Sequence, residues 1–216
     1  MQGGLFQKKI HHNKIHQIYY DWGRGISELF EKSINSFKDL ENCEYRLWSE
    51  EECEDLLRDY PEFRKLYYSC KYKIMKIDII RFIILYEHGG LYADLDVIPV
   101  VKELPSYEFA VSKNDQRLNI EVLLSTKSNK VLLDFLEYVE GQIVLKNEID
   151  IYKNWKLRYV YQTTGPRSFA RFLKGKEFNI LKLNEPDHQA KKDPQLNLKG
   201  DEDFISYPSC SFKESM

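Results

Sequence analysis

Two aspartates separated by one residue, Asp94 and Asp96, are the side chains of this sequence best suited to chemistry. They fall within 91–98, an apolar run bounded by glycines and a proline, which is typical of a buried strand. Residues two apart on a regular strand point to the same face, so both carboxylates are expected to meet one ligand. Paired carboxylates suit a hard cation such as Mn²⁺ or Mg²⁺ that also binds phosphate oxygens.

The surroundings of the pair strengthen this interpretation, because a bare Asp-x-Asp also arises by chance in acidic loops. Asp94 has apolar neighbours, and an uncompensated carboxylate is costly to bury among them. A metal ion is the simplest compensating group. The sequence therefore predicts a divalent-metal site at Asp94 and Asp96.

A second polar pair, Asp78 and Arg81, lies upstream in the apolar run 74–88. Residues three apart share one face of a helix, and Gly89-Gly90 is a sequence at which a helix commonly ends. Two interpretations are open. The pair forms an ordinary ion pair exposed beside the core, or both side chains reach the sugar or phosphates of a bound ligand.

Strands and helices alternate along the chain. Apolar periodicity and turn residues predict strands at 14–20, 45–48, 91–98, 109–111, 120–125 and 178–183. Helices are predicted at 27–38, 49–60, 74–88, 129–138 and 167–173, and a helix or loop at 61–72. Ser27 is expected to cap the first helix, and Ser49 with Glu52 has the spacing of a capping box. This order favours an α/β sandwich around a mostly parallel sheet.

Charge and composition exclude several classes of protein. The 32 basic and 34 acidic residues leave a net charge of −2, without the basic excess that nucleic-acid binding requires. No apolar stretch approaches the roughly 20 residues of a membrane span. The four cysteines lack metal-site spacing and are expected to be reduced, which favours a soluble, cytoplasmic protein. We expect a loose extension over 1–13 and one domain over 14–216, which could itself be part of a longer chain.

The segment 76–97, KIDIIRFIILYEHGGLYADLDV, resembles the signature of the DXD-motif sugar transferases. That family includes fungal initiating mannosyltransferases, bacterial capsule and lipopolysaccharide enzymes, and the glucosylating domain of large clostridial toxins. Residues 14–19 resemble the first strand of the family, and Thr164-Gly165-Pro166 resembles its late TGP element. The resemblance extends from about residue 14 to residue 170.

The resemblance implies a GT-A fold, with a Rossmann-like, mostly parallel central sheet and helices on both faces. It implies transfer of a sugar, with retention of configuration, from a UDP- or GDP-sugar to a glycan or another hydroxyl acceptor. Mn²⁺, or Mg²⁺ in its place, would be the cofactor. A role in polysaccharide biosynthesis and a bacterial or viral cytoplasmic enzyme are the corresponding expectations.

The same resemblance assigns roles to individual residues. The catalytic set is Asp78, Arg81, Asp94 and Asp96. Asp96 would bind the metal directly, and Asp94 would contact the ribose and the metal or its water. Residues that would bind the donor are Ile18, Tyr19, Tyr20, Asp78, Arg81, Tyr92, Asp94 and Asn119. His188 is either a third metal ligand or a solvated histidine of the C-terminal loop.

Other functions fit the sequence less well. A haloacid-dehalogenase-type phosphatase needs Thr or Ser two residues after its second aspartate, where this chain has Ile98. Neither a GxSxG elbow nor a phosphate-binding P-loop is present. A sugar-binding module without catalysis remains the alternative. If the protein is an enzyme, we expect the acceptor hydroxyl to attack the anomeric carbon from the same face as the leaving nucleotide. Glu121 is then either a carboxylate on the acceptor side or a surface residue.

Overall fold

The computed structural model describes residues 10–114, 117–147, 156–184 and 202–207 of the chain. The strands of this part are β1 (Lys14–Ile18), β2 (Glu44–Trp48), β3 (Gly90–Ala93), β4 (Val97–Pro99), β5 (Phe109–Asn114), β6 (Arg117–Ser125), β7 (Asn179–Asn184) and β8 (Phe204–Ser206). The helices are α1 (Glu28–Lys38), α2 (Glu50–Leu56), α3 (Pro61–Ser69), α4 (Lys73–His88), α5 (Lys130–Asn147), α6 (Lys156–Thr163) and α7 (Pro166–Phe172). A short 3₁₀ turn, Leu57–Asp59, follows α2.

The described strands form one sheet in the order β2-β1-β3-β6-β5-β7-β8-β4. Four of its seven pairings are parallel, namely β1 with β2, β1 with β3, β5 with β7 and β7 with β8. The pairings that involve β6 and β4 are antiparallel, so the sheet is mixed. No helix among these residues is both long enough and apolar enough to cross a membrane.

Alternating side chains of the central strands supply two cores, one on each face of the sheet. On β3, Tyr92 points to the larger core, whereas Leu91 and Ala93 point to the smaller one. Residues of α4, α5 and α7 belong to the larger core, and Phe37 of α1 belongs to the smaller one. Helices therefore cover both faces, as the sequence predicted.

Local sequence explains where the helices begin and end. The Ser27 side chain accepts a hydrogen bond from the Phe30 N–H at the start of α1. Ser49 and Glu52 form the predicted capping box at the start of α2. At the other end of α4, Gly89 adopts a φ of +64°, a conformation that side chains disfavour, and the helix stops there.

The predicted strand 91–98 is wrong in one respect that matters for chemistry. The chain leaves β3 after Ala93, turns through 94–96 with a hydrogen bond from Val97 N to Asp94 O of 3.1 Å, and starts β4 at Val97. β4 pairs with β8 rather than with the neighbours of β3. Asp94 and Asp96 thus lie in a turn at the carboxyl end of a central strand, not on one face of a regular strand.

Two further segments differ from the sequence-based expectation. The segment 61–72, left open as helix or loop, forms α3, and the helix predicted at 129–138 extends to Asn147. Apolar residues continue beyond Tyr138, including Val139 and Ile143, which are buried. His188 lies outside the described residues, so its predicted role stays a prediction.

Candidate active site

The Asp78–Arg81 pair of α4 is buried at the centre of the molecule. The Arg81 Nη2–H donates to Asp78 Oδ1 at 2.9 Å, and the two residues are 1% and 4% exposed respectively. The interpretation of this pair as an exposed surface ion pair is therefore wrong. A buried ion pair needs further partners because both charges have lost their water.

Arg81 finds those partners in the backbone as well as in carboxylates. Its Nη1 donates to the carbonyl of Ile120 on β6 at 2.8 Å, and its Nε donates to the carbonyl of Ile77 at 3.3 Å. Nη1 also lies 3.2 Å from Asp94 Oδ1. One guanidinium therefore connects α4, β6 and the turn that carries the Asp-x-Asp pair.

Asp94 is compensated by protein groups. Besides Arg81, the hydroxyl of Tyr92 donates to Asp94 Oδ1 at 2.6 Å, and the Arg81 guanidinium lies 4.7 Å from the centre of the Tyr92 ring. The Asp94 side chain is 26% exposed. The burial of Asp94 does not by itself require a metal ion, because the protein supplies an opposite charge and a hydrogen bond.

A distant segment completes the network. Thr164, at the junction of α6 and α7, donates from Oγ1 to Asp78 Oδ2 at 2.7 Å. The next residue, Gly165, passes so close to α6 that a Cβ there would lie 3.0 Å from the Tyr161 Cα. The Thr164-Gly165-Pro166 element thus brings its hydroxyl to the second oxygen of the buried carboxylate.

The network sets the protonation of its members. Burial raises the pKa of Asp78 to about 6, although Arg81 and the Thr164 hydroxyl both lower it. Burial disfavours the charged form of Arg81, but the carboxylates of Asp94 and Asp78 outweigh it and hold the pKa of Arg81 above its ordinary value. Arg81 is therefore a permanent positive charge beside the turn.

A cleft opens directly over this network. Its lining residues come from α4, β6, the turn after β3 and the α6–α7 junction: Ile74, Asp78, Arg81, Asp94, Asn119, Ile120, Glu121, Val160, Tyr161, Gly165 and Pro166. Most of the surface is apolar, and charged groups converge on one side. Such a combination is typical of a pocket that binds a small polar ligand.

Glu121 is the third carboxyl group on that side of the cleft. It is half-buried, and the hydroxyl of Ser206 on β8 donates to its Oε2. Its backbone carbonyl accepts a hydrogen bond of 2.8 Å from Asp94 N. Burial, with the charges of Asp96 and Asp94, raises the pKa of Glu121 to about 8. The idea that Glu121 is a surface glutamate is therefore wrong.

The structure brings together four of the predicted site residues in this cleft: Asp78, Arg81, Asp94 and Asn119. Tyr92 lies behind them and contacts Asp94 through its hydroxyl. Asp96 is half-buried in the turn, and its carbonyl accepts a hydrogen bond of 2.8 Å from Tyr207 N.

The three residues predicted to flank a nucleotide base lie at the end of β1. Ile18 and Tyr20 are buried at 5% and 1% exposure, and the Tyr20 hydroxyl is 2.6 Å from that of Tyr67. Tyr19 is half-buried, with its hydroxyl 3.3 Å from Asp21 Oδ1. Of the three side chains, that of Tyr19 is the one with surface to offer a ligand, and their role stays a prediction.

The side chains near the turn supply only some of the ligands that a hard divalent cation requires. Within the described residues, no group of three or more His, Cys, Asp and Glu side chains is placed to hold a metal ion by itself. The turn offers the carboxylates of Asp94 and Asp96, both half-buried. Two carboxylates leave room for the water and phosphate oxygens that Mg²⁺ and Mn²⁺ prefer.

Sequence reasoning missed two contributors to this site. Thr164 was recognised only as part of a motif, and its contact with Asp78 spans 86 residues. Ser206 lies in the three-residue strand β8, which was not predicted. For Ser206 no local pattern gave a signal, because its role follows from the pairing of β8 with β4.

Part of the chain is similar to known glycosyltransferases. Residues 26–108 match the model of the glycosyltransferase sugar-binding region containing DXD motif. The inositol phosphoceramide mannosyltransferase 3 of Schizosaccharomyces pombe is 46% identical over 97 residues. That match spans 38% of this chain and 27% of the length of the relative. The fungal relative gives no support to the bacterial or viral source that the sequence suggested.

Two solved structures share the fold. PaToxG glycosyltransferase has a TM-score of 0.52 at 19% identity, over 76% of this chain and 69% of its own. The catalytic domain of alpha-toxin from Clostridium novyi has a TM-score of 0.51 at 12% identity, over 80% of this chain and 65% of its own. At these identities the likeness is one of fold, and it confirms the predicted GT-A type. Residues 26–108 of this chain are therefore similar to the sugar-binding region of the DXD-motif glycosyltransferases.

Proposed function

We propose that this chain is the donor-binding and catalytic part of a metal-dependent, retaining glycosyltransferase. The observation that carries the proposal is the buried network of Asp78, Arg81 and Asp94, which lies beneath an apolar cleft at the Asp-x-Asp turn. A surface that binds many different ligands does not require charged side chains in fixed positions. In this cleft, contacts among three charged side chains of the floor fix their positions. Fixed groups of this kind stabilise charge that develops in a transition state.

A bound Mn²⁺ or Mg²⁺ would supply Lewis-acid stabilisation to the departing diphosphate, and Asp96 with Asp94 would hold it. The residues of the chain account for the remaining requirements. Arg81 keeps Asp94 oriented at 3.2 Å, and the Tyr92 hydroxyl donates to the same oxygen. Ile74, Val160 and Pro166 line the cleft with apolar surface, which excludes water from the reacting carbon.

The acceptor hydroxyl would attack from the face that the nucleotide leaves, so that configuration is retained. The family resemblance assigns Asp78 and Arg81 to the sugar of the donor, and in this structure they would do so by fixing the shape and charge of the floor on which the sugar lies. Mannose is a strong candidate for that sugar, and an inositol phosphoceramide hydroxyl for the acceptor, because the fungal relative is named for that transfer. The nucleotide would be UDP or GDP.

We also propose that 14–216 forms one domain, and that the chain works in a reducing compartment such as the cytoplasm. The second point is supported by the three cysteines of the described region, Cys43, Cys53 and Cys70, which are all unpaired.

A donor screen tests the function. UDP- and GDP-sugars, including a mannose donor, are incubated with the protein with and without Mn²⁺, and release of the nucleoside diphosphate is measured. We expect release from at least one donor, only with the metal. Asp96→Asn should abolish it at an unchanged melting temperature, since Asp96 lies half-exposed in a turn. Asp59→Asn, an exposed position, is the matched control.

The outcomes separate the two functions under consideration. Turnover by the Asp96→Asn variant at the wild-type rate would contradict the assignment of the turn as the metal site. Binding of a free glycan without turnover of any donor would favour the sugar-binding module that lacks catalysis.

A further inference from the structure

The charged groups in the floor of the cleft are largely committed to one another. Both oxygens of Asp78 accept hydrogen bonds, from Arg81 and from Thr164. Arg81 donates to Asp78, Ile77 O and Ile120 O and contacts Asp94. Asp78 and Arg81 are 4% and 1% exposed, so they shape the floor and fix its charge but present little surface to a ligand.

Glu121 differs from Asp78 and Arg81 because it is half-buried rather than fully buried. A carboxyl group can take part in roughly four hydrogen bonds. The described partners of the Glu121 side chain are the Ser206 hydroxyl and the side chain of Asn119. Part of its hydrogen-bonding capacity is therefore available on the side of the cleft that it lines.

The position of Glu121 is fixed before any ligand arrives. Its backbone N–H donates to Asn119 Oδ1 at 3.3 Å, and its carbonyl accepts from Asp94 N at 2.8 Å. The Ser206 hydroxyl holds one of its side-chain oxygens. A polar group held in this way loses little conformational freedom when it binds a ligand, and so it contributes to specificity.

The nature of the ligand follows from charge and surroundings. The Glu121 carboxyl group lies near the carboxylates of Asp96 and Asp94 and carries no positive charge that would attract a diphosphate, so the nucleotide is not its partner. Sugar hydroxyls, by contrast, donate hydrogen bonds to carboxyl oxygens readily. Ile74, Ile120 and Val160 line the same cleft with apolar surface. In such a pocket a few placed polar groups determine which ligand fits.

We infer that Glu121 hydrogen-bonds a hydroxyl of the sugar that is transferred, and that it thereby selects the donor. The inference rests on the proposed function, because it assigns the cleft to the sugar half of a nucleotide sugar. It gives the chain a specificity residue on β6, outside the Asp-x-Asp turn and the α4 pair.

Calorimetric binding in the absence of any acceptor tests the inference. The dissociation constants of the nucleotide sugar identified by the donor screen and of its nucleoside diphosphate are measured for the wild type, Glu121→Ala and Glu121→Asp. Glu121→Asp keeps a carboxyl group but shortens the side chain by one methylene group, which withdraws it from the cleft. Glu87→Ala is the control, since Glu87 is half-buried at the end of α4 and pairs with Tyr60 and Lys127 rather than with the cleft.

We expect both Glu121 variants to bind the nucleotide sugar about tenfold more weakly, the effect of one lost hydrogen bond. Affinity for the nucleoside diphosphate should be unchanged in Glu121→Asp and unchanged or higher in Glu121→Ala. Equal losses for both ligands, or no loss for either, would each overturn the inference. If the wild type binds no nucleotide sugar, the proposed function fails first, and the two failures are thus distinguishable.

Discussion

Thr164 donates a hydrogen bond of 2.7 Å to Asp78, although 86 residues separate them in the chain. This bond connects the α6–α7 junction to the middle of α4, the helix that precedes the Asp-x-Asp turn. It also occupies the second oxygen of a carboxylate whose first oxygen binds Arg81. Two sequence motifs that look independent therefore form a single buried hydrogen-bond network.

Replacing Thr164 with valine should weaken the fold through Asp78. The substitution keeps the shape of the side chain and leaves a buried carboxylate oxygen without its donor, at a cost of about 1 to 3 kcal/mol in the free energy of unfolding. Urea denaturation at neutral pH measures the loss.

The neighbouring residue provides a matched control for that experiment. Thr163 is equally buried, but its hydroxyl donates within its own helix, to Tyr159 O at 2.6 Å. Its removal leaves no charged group unpaired, so Thr163→Val should cost clearly less than Thr164→Val. Equal costs would mean that the contact with Asp78 has no special weight.

Replacing Arg81 with methionine should be more damaging. The change removes the positive charge that compensates Asp78 and Asp94 and leaves Asp78 buried without its ion-pair partner. Breaking a buried pair in this way costs about 3 to 5 kcal/mol. The free energy of unfolding, again from urea denaturation, is the measurement.

Arg58 gives the comparison for Arg81. It forms an ion pair with Asp55 at 2.8 Å, but its side chain is 73% exposed. Arg58→Met should therefore change the free energy of unfolding by less than about 0.5 kcal/mol. A loss for Arg81→Met as small as that would show that the buried network does not stabilise the fold.

Gly90 should not tolerate a side chain. It begins β3 at a φ of +98°, and a Cβ there would overlap the carbonyl oxygen of Lys14 on the adjacent strand β1. Gly90→Ala is expected to lower the free energy of unfolding by about 2 kcal/mol or more, because strain and a backbone clash add together.

Gly141→Ala in α5 is the opposite case, since nothing lies within 4 Å of the added Cβ. It should stabilise the protein by about 0.5 to 1 kcal/mol.

The sequence was informative where local pattern decides structure. Ser27 and Ser49 marked helix starts, Gly89 marked the end of α4, and both cap predictions were confirmed. Prediction failed at Asp94, because an alternating apolar run continues through 91–98 while the backbone turns in its middle. That turn exists because β4 pairs with β8, a contact across more than a hundred residues, which no local pattern encodes.

For the candidate site, too, the sequence predicted some features and not others. The identities of Asp78, Arg81, Asp94 and Asp96 were predicted from their spacing and from the family resemblance. Their partners were not, because Thr164, Tyr92 and Ser206 acquire their roles only when distant segments meet. Asp94 illustrates this limit. The sequence pointed to a metal ion as the group that compensates its charge, whereas the structure also places Arg81 of the preceding helix α4 beside it.

His16 predicts how stability depends on pH. Its Nε2–H donates to the carbonyl of Gly89 at 2.9 Å, while its Nδ1 accepts from the Trp48 indole N–H at 3.2 Å. The carbonyl can only accept and the indole can only donate, so the ring must be neutral with its proton on Nε2. Protonation of Nδ1 would place two donors face to face. Burial, with the nearby His88, Lys14 and Arg46, lowers the pKa of His16 to about 4.

The sign of the effect follows from the unfolded chain, where an ordinary histidine has a pKa of about 6.5. Between these two values the unfolded chain takes up a proton that the folded chain does not. His16 alone should therefore lower the free energy of unfolding by about 3 kcal/mol as pH decreases from about 6.5 to about 4. The raised pKa values of Asp78 and Glu121 act in the opposite direction, so the contribution of His16 is measured as the difference between the wild type and His16→Gln. That difference should change by about 3 kcal/mol across this range, whereas the difference between the wild type and His11→Gln, at an exposed position, should stay constant. A wild-type slope retained in His16→Gln would show that another group, such as His88, controls stability in this range.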